Sequence, residues 1–240
     1  MAARPLHHPA TPDPVHLLLA HTDLGSLLTA LAARTHALLA RAVPAECALV
    51  LRRRNHPALA AASSVALTRL VQERLADDDV DLASALDRGA ATAAVRLPAS
   101  WASGMAWGLD VGHLVVPVDA GPTARAALSL VGTVPVDLHE RRHALARIGR
   151  VRNEASWVLR LGVRFADEEE RSQHRAQAME ARTVIDVAVG VIMAQNRCSA
   201  DEAFDILKRA SNNRNVKLRE VAAELVQRIH PSLPETAFSD

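Results

Sequence analysis

From Asp137 onward, Ala144, Ile148, Val151, Ala155, Val158, Gly162 and Phe165 recur at alternating intervals of four and three residues. That spacing lays one apolar seam along a helix for three heptads. A long helix with such a seam has two ways to bury it, on its own domain or on a second copy of itself. Nothing upstream is obviously waiting to cover it, so pairing through a coiled coil is the expectation. The charged run "DEEERSQHR" (Asp167–Arg175) interrupts the seam, which resumes at Ala178, Ala181, Ile185, Ala188 and Ile192. Apolar residues make up 49% of the chain and the net charge is +1, so a real core is available and wholesale disorder is not expected. A near-neutral total also means that any electrostatic case for nucleic acid has to be local.

Upstream of the seam the pattern changes from element to element. Thr22 or Asp23 can cap a helix with apolar residues at Leu24, Leu27, Leu28, Leu31, Leu38, Leu39 and Ala42, stopped by Pro44. "CALVLRRR" (Cys47–Arg54) and "ALAAASSVAL" (Ala58–Leu67) read as a strand pair around "NHP". Short helices are predicted at Thr68–Ala76 and Asp81–Arg88, separated by the acidic "DDDVD". Strands follow at Thr92–Leu97, Gly112–Asp119 and Arg125–Val134, the last two joined by the hairpin turn "AGPT". Helix, two strands, helices and three strands make an α+β domain over residues 21–136. The predicted organisation continues with a coiled-coil linker helix over 137–170, an all-helical module over 171–231 and a tail over 232–240.

Residues 1–20 carry four prolines and only a short apolar run from Leu17 to Ala20, which reads as a disordered tail rather than a secretory signal. No segment reaches the roughly 20 apolar residues that span a bilayer. Cys47 and Cys198 are far apart and in no metal-ligand spacing, so they read as reduced thiols of a cytoplasmic protein.

The C-terminal module opens its middle helix with "CSADEAF", where Ser199 and Glu202 form a capping box. That helix is expected to bury Ala203, Phe204, Leu207 and Ala210. The last helix buries Leu218, Val221, Ala222, Leu225 and Ile229, with Asn215 or a neighbour capping its start. Between the two lies "KRASNNRNVKLRE" (Lys208–Glu220), which holds both lysines of the chain, Lys208 and Lys217. From Arg171 to Arg228 there are ten Lys or Arg against seven Asp or Glu. Lys208, Arg209, Arg214, Lys217 and Arg219 can neutralise phosphates and release counterions. Asn212, Asn213 and Asn215 offer paired donors and acceptors to the edges of unpaired bases. Backbone N–H groups at the start of the last helix add an anion site. The plainer alternative is a solvated connection between helices. With no tyrosine in the chain and Phe204 assigned to a buried stripe, base stacking on aromatic platforms is not expected.

Enzymatic readings find less support. "HERRH" (His139–His143) matches the zinc-protease pattern, but the intervening Arg141 and Arg142 and the lack of a convergent third ligand favour a charged helix start. No G-x-S-x-G, P-loop or G-x-G-x-x-G is present. "DDDVD" reads as a solvated turn, and Cys198 as a partly buried turn residue. No catalytic residue, metal or cofactor is therefore assigned.

The segment Ala176–Ile229 closely resembles the ANTAR domain, a three-helix RNA-binding module of bacterial antiterminators. The resemblance rests on "AMEAR" (Ala178, Met179, Arg182), "VIDVAVGVIMAQ" (Ile185, Ala188, Gly190, Met193), "CSADEAF" and "LKRAS…NVKLREVA". Val189 departs from it, standing where many members carry lysine. The resemblance implies binding to hairpin loops in nascent or messenger RNA by a homodimer, and control of transcription termination. The RNA-contacting residues it implies here are Arg182, Arg197, Lys208, Arg209, Asn212, Asn213, Arg214, Asn215, Lys217 and Arg219. The N-terminal domain resembles a GAF domain in its order of elements, its "LPASWASGMAWGLDVGHLVVPVDAG" stretch and its long exit helix; "SLV" (Ser129–Val131) stands where "N-L-Y" is usual. That resemblance implies a small-molecule pocket near Arg96, Trp101, Met105 and Trp107, residues that could equally fill the core. A DNA-binding helix-turn-helix factor and a protein-binding adaptor are the alternatives.

Overall fold

The computed structural model describes residues 13–40, 43, 45–77, 79–94, 111–133 and 137–229. They fall into two compact units, Met1–Asp167 and Glu168–Asp240. The first holds α1 (Pro14–Ala20), α2 (Leu24–Leu39), β1 (Ala45–Arg53), β2 (Leu59–Ala62), α3 (Val65–Ala76), α4 (Val80–Arg88), β3 (Thr92–Ala94), β4 (Val111–Val118) and β5 (Ala124–Thr133). A 59-residue helix, α5 (Leu138–Asn196), belongs to the first unit through Asp167 and to the second beyond it. The second unit adds α6 (Ala200–Arg214) and α7 (Leu218–Ile229). The chain is α+β, as its pattern predicts.

The five strands form one antiparallel sheet in the order β2-β1-β5-β4-β3. Side chains alternate across a strand, and here both faces are buried. Cys47, Leu49 and Leu51 of β1 and Ala126, Leu128 and Leu130 of β5 join one core cluster with α2 and α5. Ala48 and Val50, with Ala127, Val115 and Val131, join the other with α3 and α4. This explains the near-continuous apolar runs of β1 and β5: neither face of the sheet is left to water.

Side-chain oxygens set the helix starts. Asp23 accepts from Ser26 N–H at 2.9 Å, Ser64 from Leu67 N–H at 3.3 Å, and Asp79 from Asp81 and Leu82 N–H at 3.0 and 3.2 Å. Ser64 corrects a sequence expectation. The run Ala58–Leu67 is strand only as far as Ala62, because the Ser64 cap turns the chain into α3 at Val65. Asp79 likewise gives one residue of the acidic run a structural job, since it also pairs with Arg74 at 3.4 Å. At the N-terminus, Pro14–Ala20 of the expected tail is a short helix whose Leu17 is buried in the core. The strand predicted over Thr92–Leu97 is described as far as Ala94, and its remainder lies outside the described residues.

The heptad seam finds its partner within the chain. Ala144, Ile148, Val151, Ala155 and Val158 are buried in the cluster that joins α5 to α2 and the sheet, together with Leu159 and Val163. The expectation that this seam pairs with a second copy is corrected: α2 and the sheet already cover it. At Gly162 the packing leaves no room for a side chain, since a Cβ would come within 2.5 Å of Leu27 Cδ2. Phe165 falls off the seam and is 61% exposed. Two residues on, Asp167 accepts from Arg53 Nη2 at 2.6 Å and from Thr123 Oγ1 at 2.6 Å, which ties the helix to β1 and to the β4–β5 turn. Part of the expected charged interruption is thus an enclosed anchor.

Candidate nucleic-acid interface

The second unit is built on a small core. Ala188 and Ile192 of α5, Ala203 and Leu207 of α6, and Val221, Ala222 and Val226 of α7 are buried together, with Ile185 packed beside them. The resumed seam is therefore also consumed within the chain at Ile185, Ala188 and Ile192, whereas Ala178 is exposed. The capping box forms as predicted: Ser199 Oγ accepts from Glu202 N–H at 3.3 Å, and Glu202 accepts from Ser199 N–H at 2.9 Å. That hydrogen bond from the backbone holds the Glu202 carboxyl below the ordinary carboxylate range.

The junction between α6 and α7 is tightly built. α6 continues through Arg214, so Ser211, Asn212 and Asn213 belong to its last turn rather than to a loop. Asn215 then takes the left-handed conformation, φ 51°, which asparagine tolerates better than most residues, and ends the helix. Of the expected caps of α7, Asn215 or a neighbour, it is the neighbour Lys217 whose carbonyl accepts from Glu220 and Val221 N–H. Ser211 Oγ donates to Val216 O at 2.6 Å, and Val216 N–H donates back to Ser211 O at 3.1 Å. Arg214 grips Glu224 with two bonds, at 2.8 and 3.1 Å. Those bonds hold the Glu224 carboxyl low and the Arg214 guanidinium above its ordinary value. The cations on either side of this turn are thus displayed from a fixed backbone.

Residues 173–226 match the family model of the ANTAR domain. This segment is an ANTAR domain. Among solved structures, the chain is similar to an N-acylhomoserine lactone-dependent LuxR-family transcription factor from Burkholderia cenocepacia. That match has 16% identity and a TM-score of 0.44, over 63% of this chain and 94% of the other. It is also similar to an RNA-binding light-oxygen-voltage receptor, with 19% identity and a TM-score of 0.28, over 78% of this chain. The chain spans about half of that receptor, 48% of its length. No curated protein matches. Both structural likenesses are distant, and the functional reading rests on the ANTAR segment.

All ten residues singled out from the sequence are exposed in the ANTAR unit: Arg182, Arg197, Lys208, Arg209, Asn212, Asn213, Arg214, Asn215, Lys217 and Arg219. They are not one cluster. Arg197, in a left-handed turn at the start of α6, is separated from Arg214 by the length of that helix, roughly 20 Å at 1.5 Å per residue. Arg182 lies on α5, 3.9 Å from Asp186. Lys208, Arg209, Lys217 and Arg219 flank the junction, where Arg214 and Asn215 also serve the turn itself. Val189, where lysine would be usual, packs against the small core. Two expectations are overturned: Phe204 and Ile229, both assigned to buried faces, are 41% and 45% exposed.

Other constellations lie outside the ANTAR domain. His139 and His143 meet on the first turns of α5 with Nε2 atoms 3.0 Å apart, both exposed. Among the described residues, no three His, Cys, Asp or Glu side chains gather to hold a metal ion. Sequence reasoning missed a buried group in the sheet, where His113 Nε2 lies 3.0 Å from Ser129 Oγ and His113 Nδ1 lies 3.9 Å from Asp81. The order is that of a serine hydrolase relay, but Ser129 is fully enclosed and no substrate can reach its hydroxyl. Burial holds the His113 imidazole below its ordinary value, and the ring ties β4 to β5 and lies beside α4. The pocket residues Arg96, Trp101, Met105 and Trp107 lie outside the described residues. No helix among those described is long and apolar enough to cross a membrane.

Proposed function

We propose that this protein is a cytoplasmic RNA-binding regulator of transcription antitermination. The observation that carries the proposal is the ANTAR domain over residues 173–226, whose α6–α7 junction displays Lys208, Arg209, Lys217 and Arg219 from a hydrogen-bonded turn. Cations carried this way can neutralise the phosphates of a hairpin loop with the backbone that bears them already ordered. Asn212 and Asn213 face the same solvent and read base edges. Binding is itself the mechanism: an RNA fold held by the protein is withheld from a competing terminator hairpin.

The sheet domain, GAF-like in its order of elements, is the signal input of this proposal. A cavity of about 260 Å³ beside the first turns of α5, walled by Leu114, Leu130, Ala144, Leu145 and Ile148, supports a small apolar molecule as the signal. A homodimer remains part of the proposal. With the heptad seam enclosed, two copies would meet on outward residues of α5 such as Trp157 and Phe165, 44% and 61% exposed.

Crosslinking to cellular RNA tests the proposal. Wild-type protein is expected to retain transcripts carrying paired hairpins, and a Lys208→Ala, Arg209→Ala, Lys217→Ala, Arg219→Ala variant to lose them. Equal recovery from both proteins would refute the assigned surface. Preferential retention of duplex DNA would favour a DNA-binding factor instead.

A further inference from the structure

Among the described residues of the second unit, Phe204 is the one phenylalanine, tyrosine or tryptophan. Its neighbours Ala203 and Leu207 are 0% and 2% exposed, while its ring keeps 41% of its surface in solvent. Helix geometry accounts for the difference. Successive residues turn by about 100°, so Phe204 stands at the flank of the face formed by Ala203, Leu207 and Ala210. On that flank Phe204, Lys208 and Asn212 follow one another at four-residue intervals, and all three are exposed. A ring, an ammonium group and an amide thus run in line toward the α6–α7 junction.

A single exposed apolar side chain has no meaning by itself. The company of this one gives it direction. The first half of α6 is acidic, with Asp201, Glu202 and Asp205, and Glu202 is committed to the cap. The second half is cationic, with Lys208 and Arg209. Phosphates are therefore drawn toward the junction end, and Phe204 stands one helical turn from Lys208 on that flank.

We propose that Phe204 is a stacking platform for one unpaired base of the bound RNA, with Lys208 on the adjoining phosphate and Asn212 at the base edge. The inference rests on the RNA-binding reading and adds a residue and a contact to it. Every base has a π-face, so the ring contributes affinity without reading sequence.

The test uses the full chain and hairpin RNAs with randomised unpaired loops. Phe204→Leu, which keeps apolar bulk but has no π-face, is expected to weaken binding roughly tenfold. Phe204→Tyr is expected to stay near wild type. The salt dependence should be unchanged by Phe204→Leu and reduced by Lys208→Ala, because only the lysine releases a counterion. Ultraviolet crosslinking of the wild-type complex supplies a readout that needs no substitution, with the nucleotide adduct expected on the peptide containing Phe204. Wild-type affinity in Phe204→Leu, or an adduct confined to other peptides, would overturn the platform while leaving the RNA reading intact. If no hairpin binds wild-type protein, both fall together.

Discussion

The sheet domain encloses some of its arginines while leaving others such as Arg160 in solvent, and the second unit encloses none among its described residues. In the sheet domain Arg34 is 9% exposed and pairs with Glu154, and Arg53 is 13% exposed and held by Asp167. In the ANTAR domain Arg182 is 86% exposed, and Arg214, although paired with Glu224, keeps 47% of its side chain in solvent. Enclosed charges bind one part of a chain to another, whereas displayed charges are available to a partner. Sequence counts cannot separate the two uses. The number of covering layers does: the sheet is buried on both faces, and the three-helix core covers only one face of each helix.

The contrast can be broken most severely at Leu207, buried to 2% in the smaller core. Leu207→Ala is expected to cost about 2–5 kcal/mol, enough to unfold a unit of this size, given how marginal small cores are. Hydrogen exchange should then show residues 173–226 unprotected and β1 and β5 still protected. Uniform loss of protection would mean that the units do not fold separately. The next effect is at the ion pairs. Glu154→Ala leaves the Arg34 guanidinium enclosed without its carboxylate and should destabilise the sheet domain by up to about 3 kcal/mol. Glu224→Ala, on an exposed pair, should leave the melting temperature almost unchanged while freeing Arg214. Equal losses would erase the distinction between enclosed and displayed charge.

A smaller effect sharpens the comparison through pH. His113 is held below its ordinary value of 6.5 by burial, so the unfolded chain takes up a proton that the folded sheet resists. Stability from this group is complete above about pH 6.5 and falls as pH drops below it. Urea midpoints at pH 7 and pH 5 should show the loss, and His113→Gln should flatten it. An unaltered slope in the variant would assign the pH dependence to other groups.

Local rules in the sequence account for much of the local structure, though not for the Ser64 cap that ends a strand early or for α1. The Ser199–Glu202 box, the α2 cap at Asp23 and the β4–β5 hairpin follow from a few adjacent residues. Contacts across long intervals were not legible. Heptad spacing identified Ala144 to Val158 as one apolar face but could not say that α2 and the sheet would cover it. The His113–Ser129–Asp81 group spans three elements that no spacing connects. Phe204 was misplaced because it stands one residue from Ala203, and residues at the edge of an apolar face turn either way. Cys47, read only as a reduced thiol, donates to Ala32 O at 3.3 Å, and burial pushes its pKa up to about 12. Within the candidate site, residue types and their exposure were legible; the duties of Arg214 and Asn215 within the turn were not, because both depend on where α6 ends.

The central claim is that the α6–α7 junction binds folded RNA through its displayed cations. Fluorescence anisotropy of a labelled hairpin RNA across a salt series, for wild type and for the variant with Lys208, Arg209, Lys217 and Arg219 changed to alanine, tests it most directly. The account predicts tight wild-type binding that outcompetes duplex DNA of matched sequence. It also predicts a variant whose log–log salt slope is shallower by roughly 0.7–0.9 for each phosphate contact removed. Identical affinities and slopes for the two proteins, or equal binding of the hairpin and the duplex, would contradict it.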